Sequence, residues 1–108
     1  MMSGNPNRIP FETHLERLKE PAKTILLDLR NFVKSLGGNV IEEVRPHRVV
    51  YAKTLNFRIF LDVEPAGDSL VISIKYGRET SPMTATIRTK QEAEVIKKQI
   101  ADAYSKIQ

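Results

Sequence analysis

Four side chains in the central part of the chain have the types that metal-dependent cleavage of phosphodiesters requires: Glu43, Asp62, Glu64 and Lys75. Carboxylate oxygens are the ligands that Mg²⁺ prefers, and a nearby lysine can assist the attacking water. The spacing fits such a site poorly, because Ser73 stands where a further acidic residue is wanted before the lysine. Motif matches this loose usually arise by accident. We therefore expect surface or turn-forming roles for these side chains, and no catalytic residue among them.

The two histidines, His14 and His47, are the other candidates for acid–base chemistry or metal binding. They lie in different regions of the chain, and the sequence has no cysteine to complete a zinc site or act as a nucleophile. No serine occurs in the context of a nucleophile elbow. We therefore expect solvated or capping histidines, no metal site, no cofactor and no hydrolase triad.

Seven basic residues in the same region form a second candidate site, whose chemistry is the binding of phosphate groups. They are Arg45, Arg48, Lys53, Arg58, Lys75, Arg78 and Arg88. Because side chains alternate between the two faces of a strand, several of these cations can share one sheet face. Sheet-based proteins that bind single-stranded nucleic acid combine such cations with aromatic rings that stack on bases.

We assign ligand binding to Arg45, Arg48, Lys53 and Arg58 through charge, and to Tyr51 through stacking. On this interpretation, exchanging Lys53 and Arg58 together for glutamate abolishes binding and leaves the thermal midpoint nearly unchanged. The alternative is a solvated sheet face on which the cations pair with acidic residues of neighbouring strands. The charge balance is compatible with both interpretations: the pI is about 9.5, but the net charge is only +4 and is spread along the chain.

Five short segments rich in β-branched and aromatic residues must position these side chains, and an amphipathic helix pattern lies on either side of them. Predicted strands cover residues 40–45, 48–53, 57–63, 70–75 and 84–88. Predicted helices begin near Pro10, at Pro21 and after Thr89, where Glu92 completes a capping box. The connections between the strands are too short for parallel crossovers, so neighbouring strands should be antiparallel.

The sequence therefore predicts an α+β fold with N-terminal helices, a four- or five-stranded, mostly antiparallel sheet, and a C-terminal helix packed on one sheet face. Residues 1–9 have a turn-forming composition and are expected to be a flexible leader, whereas residues 10–108 are expected to form a single domain. Phe60 interrupts an otherwise polar strand face, which indicates a covered surface. A homodimer would supply the cover.

Composition limits the class of protein further. The hydrophobic share of 41% and the charged share of 28% are ordinary for a globular protein. No apolar run approaches the roughly 18 residues that a membrane span needs, and the first residues lack the apolar core of a signal peptide. We expect a cytoplasmic protein that has no membrane partner.

Several stretches of the chain, read in order, resemble one protein family. They are Phe11-Glu12-Thr13-His14-Leu15, residues 29–37, Tyr51-Ala52-Lys53 followed by Asn56-Phe57, Asp62-Val63-Glu64-Pro65, and Ile100-Ala101-Asp102-Ala103-Tyr104. In order and spacing they are similar to the DUF5655 family, a domain of unknown function, over almost the whole chain. The resemblance implies an α+β module of uncharacterised activity, found alone or at the C-terminal end of larger proteins, some of which look like nucleases or restriction factors. We expect no separate nuclease domain here, so a link to nucleic acid follows only by association.

The leading hypothesis for function is a non-enzymatic module that binds nucleic acid or another phosphate-bearing ligand through a basic sheet face. The alternative is a small homo-oligomeric interaction domain, in which the open sheet face or an edge strand pairs with a second copy. The third hypothesis is an enzyme that uses Asp62 and Glu64 with a divalent metal. That hypothesis predicts that the metal stabilises the folded protein.

Overall fold

The secondary structure follows the predicted order, with two helices, five strands and a final helix. The computed structural model describes residues 9–54, 57–77 and 80–107. The elements are α1 (Phe11–Glu16), α2 (Ala22–Lys34), β1 (Val40–Val44), β2 (Val49–Lys53), β3 (Arg58–Pro65), β4 (Leu70–Ile74), β5 (Met83–Ile87) and α3 (Lys90–Lys106). The α+β prediction is confirmed. Nearly all of the predicted leader, residues 1–9, lies outside the described residues, as does Arg78.

The strands form one five-stranded sheet in the order β1-β2-β3-β4-β5, with each strand antiparallel to the next. Tight turns close two of the hairpins. The Arg45 N–H donates to the Arg48 carbonyl at 2.8 Å, and the Ala66 N–H donates to the Ser69 carbonyl at 2.9 Å. Gly67 in the second turn has φ +74°, a left-handed conformation that glycine adopts without steric cost.

Local signals place the helices where their apolar faces meet the sheet. The Thr89 hydroxyl accepts from the Glu92 N–H at 3.1 Å, and the Glu92 carboxylate accepts from the Thr89 N–H at 3.1 Å, which confirms the predicted capping box of α3. Lys97 of α3 contacts Asp28 of α2 at 2.7 Å, so the two long helices lie side by side. Within the described ranges, every helix is too short or too polar to serve as a transmembrane span.

A β-bulge in β3 changes which side chains enter the core. Tyr51 is opposite Leu61, whereas the next residue, Ala52, is opposite Ile59, so Phe60 is the extra residue on β3. Phe60 and Leu61 are both 0% exposed, and both belong to the helix-side core. The interpretation of Phe60 as an outward residue that needs a second copy to cover it is therefore wrong.

The ring of Phe60 finds its partner within the same chain. It meets the ring of Tyr104 on α3 edge-on, with the ring centroids 5.4 Å apart and an angle of 70° between the planes. The bulge permits this contact because it turns two consecutive side chains toward the helices, which strict alternation forbids. The prediction failed at this point because bulges leave little trace in a pattern of apolar and polar residues.

Strand alternation and register assign the remaining residues to the two faces. The face turned away from the helices, here called the open face, carries Ile41, Glu43, Val50, Ala52, Ile59, Asp62, Glu64, Val71, Ser73, Thr84 and Thr86. Val50 and Ala52 are almost completely buried, yet neither belongs to the helix-side core. Part of the open face is therefore covered within the chain itself.

A candidate anion-binding groove at one end of the sheet

Tyr51, predicted to stack on a ligand, lies in the core instead. Its side chain is 1% exposed, and its hydroxyl donates to the Glu42 carboxylate at 2.8 Å. Burial, together with the charge of Glu42, raises the pKa of the Tyr51 phenol. The ring is therefore inaccessible, and the assignment of Tyr51 as a stacking residue is corrected.

The Glu42 carboxylate that binds Tyr51 is the centre of an internal charge network between β1 and α2. Arg30 donates to both oxygens of Glu42, at 2.8 Å and 2.9 Å, and Lys34 lies 3.5 Å from one of them. Burial by itself raises the pKa of Glu42, but hydrogen bonds from Arg30 and Tyr51 outweigh burial, and the pKa is lowered overall. Glu42, Arg30 and Lys34 therefore pair their charges with one another within the chain.

Arg45 and Arg48 are also engaged with carboxylates of the same chain. Arg45 binds Glu43 at 2.5 Å. Arg48 binds Asp62 at 3.0 Å and lies 3.6 Å from Glu64, and the hydrogen bond to Asp62 raises the pKa of the Arg48 guanidinium. The solvated, charge-paired sheet face considered as the alternative therefore describes these two arginines.

The same contacts bear on the proposed metal site. Asp62 and Glu64 both face Arg48 on the open face. In the described ranges, no cluster of three or more histidine, cysteine or acidic side chains has the arrangement that a metal ion needs.

Lys53 has a structural position at the end of the final helix. Its ammonium group donates to the Ile107 carbonyl at 3.0 Å and lies 4.5 Å from the centroid of the Tyr104 ring. A carbonyl near a helix C-terminus and an aromatic face both attract a cation. Lys53 therefore joins β2 to the end of α3, and replacing it should reduce stability, contrary to the sequence-based expectation of an unchanged thermal midpoint.

Of the residues to which the sequence assigned ligand binding, Arg58 lines the groove formed where β3 begins and β4 ends, and Lys75 of the wider basic set lines it as well. The groove has a volume of about 400 Å³. Its lining residues are Phe57, Arg58, Ile59, Lys75, Gly77, Thr80, Pro82 and Ile107. Among the described residues, neither Arg58 nor Lys75 has an ion-pair partner. The groove thus combines two cations with apolar walls and a hydroxyl group.

Phe57 is the aromatic residue that sequence reasoning missed as a site residue. The alternating pattern predicts an inward strand position for it, but β3 begins one residue later and the Phe57 side chain is 39% exposed. Its φ of +46° lies in the left-handed region, where a bulky side chain costs on the order of 1–3 kcal/mol. Such strain clusters at ligand sites. The local sequence does not predict the left-handed conformation of Phe57.

The geometry suits an anion attached to a flat or apolar group. Arg58 and Lys75 provide charge-assisted donors for phosphate or carboxylate oxygens. Ile59, Pro82 and Ile107 form apolar walls beside these donors. The exposed Phe57 ring adds a surface on which a base or another planar group can stack.

A second, smaller cleft brings the two histidines together. His14, Arg17, Pro46, His47, Glu64, Pro65 and Gly67 line a volume of about 230 Å³. His14 is 1% exposed and its Nε2 lies 2.7 Å from the Arg45 carbonyl, so it joins α1 to the β1–β2 turn. The expectation of a solvated histidine is therefore wrong for His14, which is buried. The two histidines also line one cleft, although they lie in different regions of the chain.

No family model, curated protein or solved structure matches the chain. The resemblance to the DUF5655 family stays a prediction, and so does everything that it implies about activity.

Proposed function

We propose that this protein is a non-enzymatic binding module that takes single-stranded nucleic acid into the groove at the start of β3 and the end of β4. One observation carries the proposal: Arg58 and Lys75, which have no ion-pair partner among the described residues, line the same groove as the exposed ring of Phe57. The proposal includes the cytoplasmic location expected from the sequence, where such a ligand is available.

Charge pairing elsewhere in the molecule supports this choice of site. Arg45 and Arg48 bind carboxylates of their own chain, so they have less charge to offer a polyanion. Arg58 and Lys75 offer theirs at a concave surface, where phosphate contacts release counterions. Stacking of one base on an aromatic ring contributes about 1–3 kcal/mol. This contribution adds to the electrostatic attraction, which is modest because the net charge is only +4.

The shape of the site favours a single strand over a duplex. Proteins that read duplex DNA in the major groove present a helix or a two-stranded ribbon, whereas here the cations lie in a recess of about 400 Å³. A recess of this size accommodates about one nucleotide. A flexible single strand can place one base and its phosphate there without the distortion that a duplex would require.

The test is a fluorescence-anisotropy titration with a labelled single-stranded oligonucleotide and its duplex, at low and near-physiological salt. We expect tighter binding of the single strand and an affinity that falls with salt with a logarithmic slope of about 0.7 per phosphate engaged. The double variant Arg58→Glu, Lys75→Glu should lose affinity by at least about 100-fold.

The matched control is Lys19→Glu, Lys98→Glu, which changes the net charge equally at two exposed positions away from the groove. This control should lose less than about fivefold in affinity, because only the general field of the protein changes. Equal losses in the two double variants would mean that binding is not localised to the groove. A wild-type protein that does not bind at low salt would refute the proposal itself.

Thermal unfolding in the presence of divalent metals tests the other hypothesis, a metal-dependent nuclease. A divalent metal that binds Asp62 and Glu64 should raise the thermal midpoint of the wild-type protein, and the rise should disappear in Asp62→Asn. A midpoint that does not change with Mg²⁺ or Mn²⁺ would count against this candidate.

A further inference from the structure

The two edges of the sheet differ in how they are protected. Edge strand β1 includes Glu42 and Glu43, both of which bind arginine side chains. Edge strand β5 has the sequence MTATI, with no charged residue and no proline. Natural proteins usually place charges, prolines or bulges on exposed edges to prevent pairing with other strands. Strand β5 itself has none of these features, although Pro82 precedes it and Arg88 follows it.

The outer edge of β5 is available for pairing. Its inner edge is fully engaged with β4, from Leu70 opposite Ile87 to Ile74 opposite Met83, without a bulge. In the part of the chain that the structure describes, no further strand lies beyond β5. Thr84 and Thr86 are exposed, and threonine favours extended backbone. The edge is therefore regular, uncharged and long enough to accept five residues.

We propose that β5 pairs antiparallel with β5 of a second copy of this chain, in a twofold-symmetric dimer centred on Ala85. This register places Thr84 opposite the partner's Thr86 and Met83 opposite the partner's Ile87. Threonine pairs and apolar pairs are both favourable across antiparallel strands, and no like charges face each other. The two sheets join into one, with all helices on the same face, because the pairing keeps each strand's inward residues inward.

The register also brings a basic residue of the second copy to the groove, a consequence that rests on the proposed ligand binding. Since Ile74 is opposite Met83, continuing the ladder places Lys75 beside Pro82, and both residues line the groove. The same continuation places the partner's Arg88 on the other side of Pro82. Arg88 is exposed in the monomer. Each groove of the dimer would thus have a third cation, supplied by the other subunit.

Five residues give a small interface, so the expected dimer is weak, with a Kd on the order of 0.1 mM. Sedimentation of the wild-type protein up to about 1 mM should show a shift from 12.3 kDa toward twice that mass. A single 12.3 kDa species over the whole range would overturn the proposal.

Paired substitutions test the register itself. Thr84→Lys with Thr86→Lys places like charges opposite each other in both cross-strand pairs and should abolish the dimer. Thr84→Lys with Thr86→Glu places opposite charges there and should restore it. Asn31→Lys with Gln91→Lys adds the same charge at exposed helix positions and should leave the dimer unchanged. If the lysine pair at β5 dimerises like wild type, or if the Lys/Glu pair fails to rescue, the β5 register is wrong.

The contribution of Arg88 is measured separately from the dimer. Arg88→Ala should leave the sedimentation behaviour unchanged and weaken oligonucleotide binding by about fivefold at concentrations where the dimer forms. In the monomeric Thr84→Lys, Thr86→Lys variant, adding Arg88→Ala should have little further effect. If wild type does not bind oligonucleotides, the proposed function fails while sedimentation still decides the strand pairing. If the double variant Arg58→Glu, Lys75→Glu loses oligonucleotide affinity but Arg88→Ala does not, a groove shared between the two subunits is excluded.

Discussion

Arg30 and Arg58 are both partly buried arginines, but the protein uses them in different ways. Arg30 is held by both oxygens of Glu42, with its guanidinium 4.0 Å from the centroid of the Phe11 ring. Arg58 lines an open groove and has no ion pair among the described residues. A cation that is fully paired inside the chain stabilises the fold, whereas one left unpaired at a concave surface can bind an external anion. Sequence composition does not distinguish the two, because both count as one positive charge.

The largest expected effect on stability comes from removing Glu42, the centre of the internal charge network. Glu42→Ala leaves Arg30 and the Tyr51 hydroxyl without their acceptor, and the side chain of Glu42 is only 11% exposed. We expect a loss of about 3 kcal/mol in the free energy of unfolding, because removing one partner of a buried pair strands the other. Urea denaturation measures the loss, and oligonucleotide affinity of the folded fraction should not change.

Two further variants keep this prediction testable if Glu42→Ala does not fold. Tyr51→Phe removes only one hydrogen bond to Glu42 and should cost about 1.5 kcal/mol. Arg48→Met breaks a partly exposed pair with Asp62 and should cost about 1 kcal/mol. Equal effects of Glu42→Ala and Arg48→Met would show that the network of β1 and α2 is no more important than a surface ion pair.

Acid should reveal the same network in the unmodified protein. The folded-state pKa of Glu42 lies below its ordinary value of 4.5, so the carboxylate stabilises the folded protein above that pH. This stabilisation should be lost as the pH falls from about 5 through the folded pKa, because protonation weakens the bonds from Arg30 and Tyr51. Unfolding free energies measured by urea titration between pH 7 and pH 3 give the slope.

The Tyr51→Phe variant is informative in the acid experiment as well. It removes one of the bonds that lower the pKa of Glu42, so its stability should fall less steeply with acid than that of wild type. Some slope should remain in both proteins. The Thr24 hydroxyl lowers the pKa of Glu20, and the Arg88 N–H lowers that of Glu92. Identical slopes for variant and wild type would exclude Glu42 as the main titrating group.

Replacing Lys53 should affect both the stability of the fold and the affinity of the groove for its ligand. Lys53→Met loses the bond to the Ile107 carbonyl and the contact with the Tyr104 ring but keeps the apolar part of the side chain. We expect a loss of about 1 kcal/mol in stability and a drop of about threefold in ligand affinity, since Ile107 lines the groove. A change in affinity as large as that of the double variant Arg58→Glu, Lys75→Glu, with no loss of stability, would mean that Lys53 contacts the ligand directly.

The smallest expected effect on stability comes from replacing the strained aromatic residue. Phe57→Asn removes the exposed ring at φ +46° and replaces it with a residue that tolerates the left-handed conformation. We expect stability to change by less than about 1 kcal/mol and single-strand affinity to fall about tenfold through lost stacking. Phe57→Tyr keeps a ring and should retain affinity. Loss of affinity in both variants would indicate that ring stacking is not the role of this residue.

The sequence predicts the local features of this fold better than those that depend on strand register. The capping box of Thr89 and Glu92 lies within a few residues, and the structure has it as expected. The antiparallel order followed from short connections. The bulge at Phe60 and the burial of Tyr51 did not follow, since both depend on which strand segments meet and in what register. Strict alternation would have put Phe60 on the same strand face as Arg58 and Asp62.

The α+β class, the order of the elements and the ends of the main helix and hairpin turns can be predicted from the sequence, because they depend on local periodicity, capping and turn chemistry. Which cations are paired depends instead on tertiary contacts. Glu42 is distant in sequence from Arg30, and Asp62 from Arg48, yet both pairs are within hydrogen-bond distance once the sheet and helices have packed. A charge interacts with whatever lies within a few ångströms, and that neighbourhood is set by the fold.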